Sequence, residues 1–289
     1  MSRVDQLFID SAKNILDQGY DERKVESATV RPKWDGEEAA YAIYLPQQQM
    51  IYKPGEVPII NLRKIAWKSG IKEILWIYQD ASNDVNLFNE KYGVKYWDKW
   101  KNEEGNLGKA YGYQINKRFK SPEHGGMINQ IERVIEQLRE NPMNRRIFTS
   151  LLDVDDMADM SLIPCAFLTM WTVTGKQLNL TLVQRSGDFL AAAGPGGINA
   201  LQYYALMRMV AQVTGFEPGQ FCHFVQNLHI YDRHIEMVKS ISEIKLSEES
   251  EPKLILNPDI KEFKDFTIED FKLEGYKPDD KKYKVPIAI

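Results

Sequence analysis

Cysteine is scarce in this chain, with two among 289 residues. One of them, Cys165, falls in the apolar stretch 161–175, SLIPCAFLTMWTVTG. A thiol becomes a nucleophile when nearby positive charge holds its thiolate form. Buried among apolar side chains without such charge, it is inert filler. The cations that could decide the matter are Arg145 and Arg146 in NRRI and Arg185 in QRSGD. Three guanidiniums with forked donors also suit a phosphate dianion. An arginine pair taken alone is equally a solvated corner between two elements.

A second group lies in QNLHIYDRH. His229 and Tyr231 share one side of an extended chain, where they form either a ribose-holding pair or an ordinary polar edge. Asn199 opens an apolar run and reads as a helix cap. Its amide, donor and acceptor together, also matches a pyrimidine edge. Glu73, within GIKEILWIY, is either on a wet face or a buried acid with a raised pKa. No Cys/His spacing suits zinc and no glycine motif cradles phosphate, so no metal is expected.

These residues must be carried by elements that the pattern makes visible. Residues 161–175 form a strand that turns at Thr174-Gly175 into a second strand, QLNLTLVQRS. AYAIYLPQQQMIY, RRIFTSLL and QFCHFVQNLHIY are further strands. The N-terminal twenty residues, the 63–79 segment with Ile65, Ile71, Leu75 and Tyr78, and MINQIERVIEQLRENP carry apolar residues at helical spacing. The last of these has Ile128, Ile131, Ile135 and Leu138 on one face and stops at Asn141-Pro142. NALQYYALMRMVAQVTG is a long apolar helix ending at Gly215, and IYDRHIEMVKSI is another helix. NEEGNLGKAYGYQ reads as a loop and RFKSPEHGG as an exposed excursion. The tail carries short strands after an acidic patch at 248–251. Strands and helices mix without regular alternation. This predicts one α+β domain over residues 1–289, with a large mixed or antiparallel sheet packed with helices.

Net charge is -4, which argues against an obligate nucleic-acid partner. No apolar run reaches the roughly 18 residues that a membrane span needs. The amphipathic start is unlike an export signal. Two cysteines make no disulfide framework, so a cytoplasmic location is expected.

With these motifs in place, the chain resembles the thymidylate synthase family over nearly its whole length. IKEILWIYQDASNDVN, YWDKW, GKAYGYQ, NRRI, PC, QRSGD, HIYDRH and the terminal PIAI fall in the family's order. The resemblance implies transfer of a one-carbon unit from 5,10-methylenetetrahydrofolate, a co-substrate, to C5 of dUMP. It makes Cys165 the nucleophile that adds to C6 and so turns C5 into an enolate carbon. It assigns phosphate to Arg31, Arg145, Arg146, Arg185 and Ser186, with Arg145 and Arg146 reaching across a homodimer. Asn199 would read the base, and His229 and Tyr231 the ribose. Glu73 would organise proton transfers and Tyr111 would help remove the C5 proton. Asp188 would hold the pterin between Trp97 and Trp100, and the Ile289 segment would close over the ligands.

The departures from the family's pattern gather on the pterin side. Ala166 stands where a histidine usually follows the cysteine, and Met170 replaces a glutamine. LAAAGPGGIN, residues 190–199, is longer than the family's loop and lacks its phenylalanine. VQNLH resembles the pattern of phage pyrimidine hydroxymethylases, which belong to the same family, and a phage-encoded origin follows from that resemblance. Glycines in the loop are expected to loosen the pterin wall. Hydride transfer, which needs close alignment, would then suffer more than capture of water. This favours 5-hydroxymethyl-dUMP as product; the alternative is hydride transfer to give dTMP and dihydrofolate. Asn199, in place of an aspartate, favours uracil over cytosine. Rivals from other classes are a catalytically dead member binding RNA, against which Cys165 and Glu73 argue, and a cysteine hydrolase, which lacks its histidine.

Overall fold

A computed structural model describes residues 1–25, 31–35, 37–121, 123–246 and 250–289. Helix α1, Arg3–Gln18, begins at Ser2, whose side chain and that of Asp5 close a reciprocal cap. The strands that follow build one seven-stranded mixed sheet. They are β1 (Tyr20–Asp21), β2 (Ala42–Tyr52), β3 (Phe148–Ser150), β4 (Ala166–Thr174), β5 (Gln177–Gln184), β6 (Gly187–Asp188) and β7 (Glu217–Tyr231). The order across the sheet is β1-β2-β7-β5-β4-β3, and β6 also pairs with β7.

The β4–β5 hairpin turns at Gly175, whose φ of 60° uses glycine's left-handed freedom. Burial along β5 alternates at every position, as a strand buried more deeply on one face requires. β5 and β7 run parallel, as do β6 and β7. Parallel neighbours need a crossover, which helix α4, Ile198–Thr214, supplies. Twelve of its residues are buried, which its nearly uninterrupted apolar sequence permits. Helix α2, Trp67–Ile74, packs on α4 and widens into a π turn at Leu75–Gln79. Helix α3, Gln130–Glu140, is capped by Asn129 and Glu132 and ends at Asn141, as expected. Strands Lys253–Leu256 and Phe271–Glu274 form a tail hairpin.

The expected α+β architecture is present, with four local corrections. Strand β4 begins at Ala166, so Cys165 stands at the strand's entrance and not in its middle. Asn199 is not the cap of α4: Gly197 is, and Asn199 lies in the first turn. Residues up to Tyr231 stay extended, and the next helix starts only at Ile235. Residues 108–116 hold more structure than a loop, with a short helix at Gly112–Asn116. Of the acidic patch, Glu248 and Glu249 lie outside the described residues, as does Pro122 of the excursion. No helix among the described residues is long and apolar enough to cross a membrane.

Candidate active site

Cys165 is partly exposed at the mouth of the β4–β5 pair. The adjoining strand brings Arg185 to it: the Arg185 backbone N–H donates to the Cys165 carbonyl at 2.9 Å. One Arg185 nitrogen lies 3.7 Å from the sulfur, while the guanidinium also donates to the carbonyls of Ile163 and Pro164 at 2.6 and 3.1 Å. Burial pushes the thiol above its ordinary pKa, and Arg185 pulls it partly back. Tyr111 is the third member of this cluster. Its hydroxyl interacts with the Cys165 backbone, and its ring packs edge-on against Trp97 at 4.9 Å. Its φ of 52° is strained for a tyrosine, a conformation that persists only where the surroundings enforce it.

Next to this cluster, the sheet's β1-β2-β7 edge holds a cavity of about 460 Å³. Arg31, Ser186, Asn227, His229 and Tyr231 line it. His229 and Tyr231 do project to one side, with rings 4.7 Å apart. Asn227, at the same spacing, accepts at its Oδ1 from His229 Nδ1 over 2.9 Å. Burial holds His229 below its usual pKa, so the ring is neutral at pH 7. Arg31 forms a 2.6 Å ion pair with Glu22 and lies over the Tyr41 ring. Ser186 lines the cavity and directly follows Arg185, which touches the sulfur, so cavity and thiol form one region.

A directed chain of amides runs from the sheet to the carboxylate. His223 Nε2 is 2.8 Å from Gln184 Oε1. Gln184 Nε2 donates to Asn199 Oδ1 at 3.2 Å, Asn199 Nδ2 to Gln202 Oε1 at 2.8 Å, and Gln202 Nε2 to Glu73 Oε2 at 2.8 Å. The Tyr96 hydroxyl donates to the same carboxylate oxygen. Burial pushes the Glu73 carboxyl up from 4.5 to about 7, against the pull of Tyr96 and Gln202. Glu73 is partly buried, and its raised carboxyl pKa fits the second of its two readings better than a wet-face acid.

Four expected groups lie elsewhere or are otherwise engaged. Arg145 and Arg146 are exposed in the turn between α3 and β3, away from the cavity of their own chain. Asp188 accepts from the N–H groups of Leu190 and Ala191, both at 3.0 Å, and lies 3.3 Å from His234 Nδ1. Burial works to raise this carboxyl, but His234 and His229 outweigh it and hold it low. Trp97 is buried, with the partly buried Trp100 at 5.5 Å across ring centroids. The end of the chain is tied down: Ile289 and Lys33 exchange backbone hydrogen bonds of 2.7 and 2.8 Å, and His234 Nε2 lies 2.8 Å from the Pro286 carbonyl.

The 190–198 loop corrects an expectation. Asp188 caps a compact turn at Phe189–Ala193, and Phe189 packs on Phe8 with ring centroids 4.8 Å apart. Gly196 donates to the Tyr52 hydroxyl at 3.0 Å and accepts from Ile60 N at 3.2 Å. Its φ is 66°, and a Cβ there would stand 2.7 Å from Ile60 N. The glycines serve close packing, so the loop offers no looseness to favour water.

Sequence reasoning missed Tyr96, Gln184, Gln202, His223 and His234. Tyr96, Gln184 and His234 sit inside motifs already singled out. Gln202 follows Asn199 by three positions in a helix, which places both on one face. His223, two residues outside VQNLH, carried no signal. Among the described residues no group of side chains is arranged to hold a metal.

The comparisons bear on this geometry directly. A model of the thymidylate synthase family, described as "Thymidylate synthase", matches residues 6–289. A thymidylate synthase of Bacillus subtilis subsp. natto is 41% identical over 282 residues, covering 97% of this chain and 98% of the relative. One of Bacillus phage phi3T is 40% identical with the same coverage. The solved structure of thermostable thymidylate synthase A from Bacillus subtilis superposes with a TM-score of 0.89 at 38% identity, covering 98% of this chain and 99% of that one. Fold, motif order and whole-length similarity agree: the chain belongs to the thymidylate synthase family.

Proposed function

We propose that the chain converts dUMP and 5,10-methylenetetrahydrofolate to dTMP and dihydrofolate. The observation that carries this reading is the Cys165–Arg185 contact beside the cavity of Arg31, Ser186, His229 and Tyr231, with the Asn199–Glu73 chain adjoining. The Cys165 thiolate adds to C6 of uracil, and the C5–C6 electron pair moves to C5 with charge shared on O4. Asn199 stabilises that charge by donating to O4. C5 then forms its bond to the methylene carbon of the co-substrate and gives up its proton, with Tyr111 placed to assist. Glu73, near neutrality, can hold or release a proton at pH 7. Loss of the C5 proton breaks the bond between the methylene carbon and the pterin nitrogen, so tetrahydrofolate departs and leaves an exocyclic methylene on C5. Hydride from the tetrahydropterin adds to this methylene and gives dihydrofolate, and the Cys165 thiolate leaves C6 as the C5–C6 double bond re-forms. Asp188, Trp97 and Trp100 would form the pterin side, and the Ile289 segment would close it.

Hydride transfer is preferred to water capture for two reasons. The relatives are named thymidylate synthases, and the loop whose looseness argued for water is packed and bonded. The assay supplies dUMP and methylenetetrahydrofolate and identifies both products. dTMP with an equal amount of dihydrofolate is expected; 5-hydroxymethyl-dUMP with tetrahydrofolate would reverse the assignment.

The same reading makes the protein a homodimer. Arg145 and Arg146 find no ion pair among the described residues of their own chain. Beside them Phe148 and Met170, paired across β3 and β4, are 45% and 44% exposed. An exposed apolar sheet face marks an interface. Mixing Cys165→Ala chains with Arg146→Ala chains should restore activity that neither has alone, and a monomeric mass by light scattering would exclude the shared site.

A further inference from the structure

We propose that His223 is a positioning residue that fixes the Gln184 amide, and through it the Asn199 amide, in the orientation that reads uracil and rejects cytosine. The inference rests on the assignment of Asn199 to the base made above.

His223 lies on β7, in register with Leu182 of β5 and Met50 of β2, and is 0% exposed. Its Nε2 is 2.8 Å from Gln184 Oε1, and its Nδ1 is buried with no hydrogen-bond partner. Burial holds its pKa far down, at about 3, so the ring is neutral and carries one proton. Which nitrogen carries that proton follows from the chain. The Ser186 carbonyl can only accept, and it receives Gln184 Nε2 at 2.9 Å. The Gln184 oxygen therefore faces His223, and an oxygen there demands a donor. Nε2 bears the proton, and Nδ1 is left as an unused acceptor.

From that point each amide sets the next. The second Gln184 N–H donates to Asn199 Oδ1, so the Asn199 NH₂ is turned to Gln202 Oε1. Each Asn199 atom then keeps one position free: one acceptor on Oδ1, one donor on Nδ2. This pair matches uracil, whose N3–H donates and whose O4 accepts. Cytosine presents the reverse, an accepting N3 and a donating amino group. Asn199 could serve cytosine only by turning over. That would set NH₂ against the Gln184 NH₂ and oxygen against the Gln202 oxygen. The rejection of cytosine is thus held in place by a buried histidine that does not itself line the cavity.

The tautomer can be read in the unmodified protein. The chain has four histidines, and long-range ¹⁵N–¹H correlation should find His223 protonated at Nε2. An Nδ1-protonated ring would overturn the proposal. Calorimetric titration with dUMP and dCMP then compares wild type, His223→Phe and His223→Gln. Loss of the donor should lower the dUMP:dCMP affinity ratio by at least about tenfold, since the site no longer leaves a buried amide mispaired with cytosine. His223→Gln, which can donate, should recover most of the ratio. A folded His223→Phe protein with an unchanged ratio would show a filler role only and overturn the proposal. If that variant does not fold, the tautomer and the glutamine variant decide. Failure of the wild-type protein to bind dUMP would instead refute the nucleotide reading itself, so the two failures are distinct.

Discussion

The two cysteines sit within one sheet and differ in what faces them. Cys165 stands at the entrance of β4, half-open to the site, with a guanidinium nitrogen at 3.7 Å and Tyr111 close to its backbone. Cys222 is buried on β7 and meets the Gln49 side-chain amide, whose nitrogen is 3.2 Å from the sulfur. Burial raises the pKa of both thiols. Only at Cys165 does a full positive charge oppose that rise. Burial alone therefore does not separate a nucleophile from filler; the charge that a neighbouring strand delivers does. The β4–β5 hairpin makes that delivery by placing Arg185 N on the Cys165 carbonyl.

The largest expected effect follows. Cys165→Ser should abolish turnover, by at least on the order of a thousandfold, because a hydroxyl is far harder to ionise than a thiol. dUMP binding, measured by calorimetry, should persist. Turnover near the wild-type level would remove the distinction between the two cysteines.

The next effect concerns the acid beside the site. Glu73→Gln keeps the shape and removes the titration, and kcat should fall by roughly a hundredfold. Stability should move in the opposite direction. The folded protein holds the Glu73 proton more tightly than the unfolded chain, with a pKa of about 7 against 4.5. The protonated form's advantage is fully present below about pH 4.5 and is lost as pH rises to about 7. Above that, ionising the buried acid costs on the order of 3 kcal/mol. Glu73→Gln should therefore unfold at a higher temperature than wild type at pH 8, and the two should converge near pH 4.5. A wild-type stability curve flat over this range would show Glu73 to be solvated.

How much of this was legible in the sequence depended on how local its cause is. The β4–β5 hairpin was readable because alternation and a Thr-Gly turn lie within a few residues of each other. Helix α3 was readable from its periodicity and its Asn-Pro stop. Among the site residues, those inside compact motifs, such as Arg185 and Ser186 or His229 and Tyr231, were placed together by strand geometry alone. The amide chain was not readable, because Gln184, Gln202 and Glu73 meet only when α2 packs on α4 beside β5. The 190–198 loop misled for the same reason. Its glycines suggest mobility, yet Tyr52 and Ile60, far earlier in the chain, determine that it is packed. Asn199 as a cap was a fair local reading that the turn at Gly197 displaced by two residues.

The smallest effect sharpens the comparison from its other side. Iodoacetamide should modify Cys165 in the native protein and leave Cys222 untouched until unfolding, because Cys222 is only 8% exposed and no cation among the described residues faces it. Bound dUMP should protect Cys165. Cys222→Ala should then leave kcat and KM within about twofold of wild type. Its cost is to the fold: a buried sulfur is lost and the Gln49 amide loses its partner, together about 1–2 kcal/mol. A thermal melt would read this as a modest drop, with activity at lower temperature intact. Equal labelling of the two cysteines, or a Cys222→Ala protein that folds yet turns over slowly, would mean that Cys222 also serves the site and that the guanidinium does not mark the difference between them.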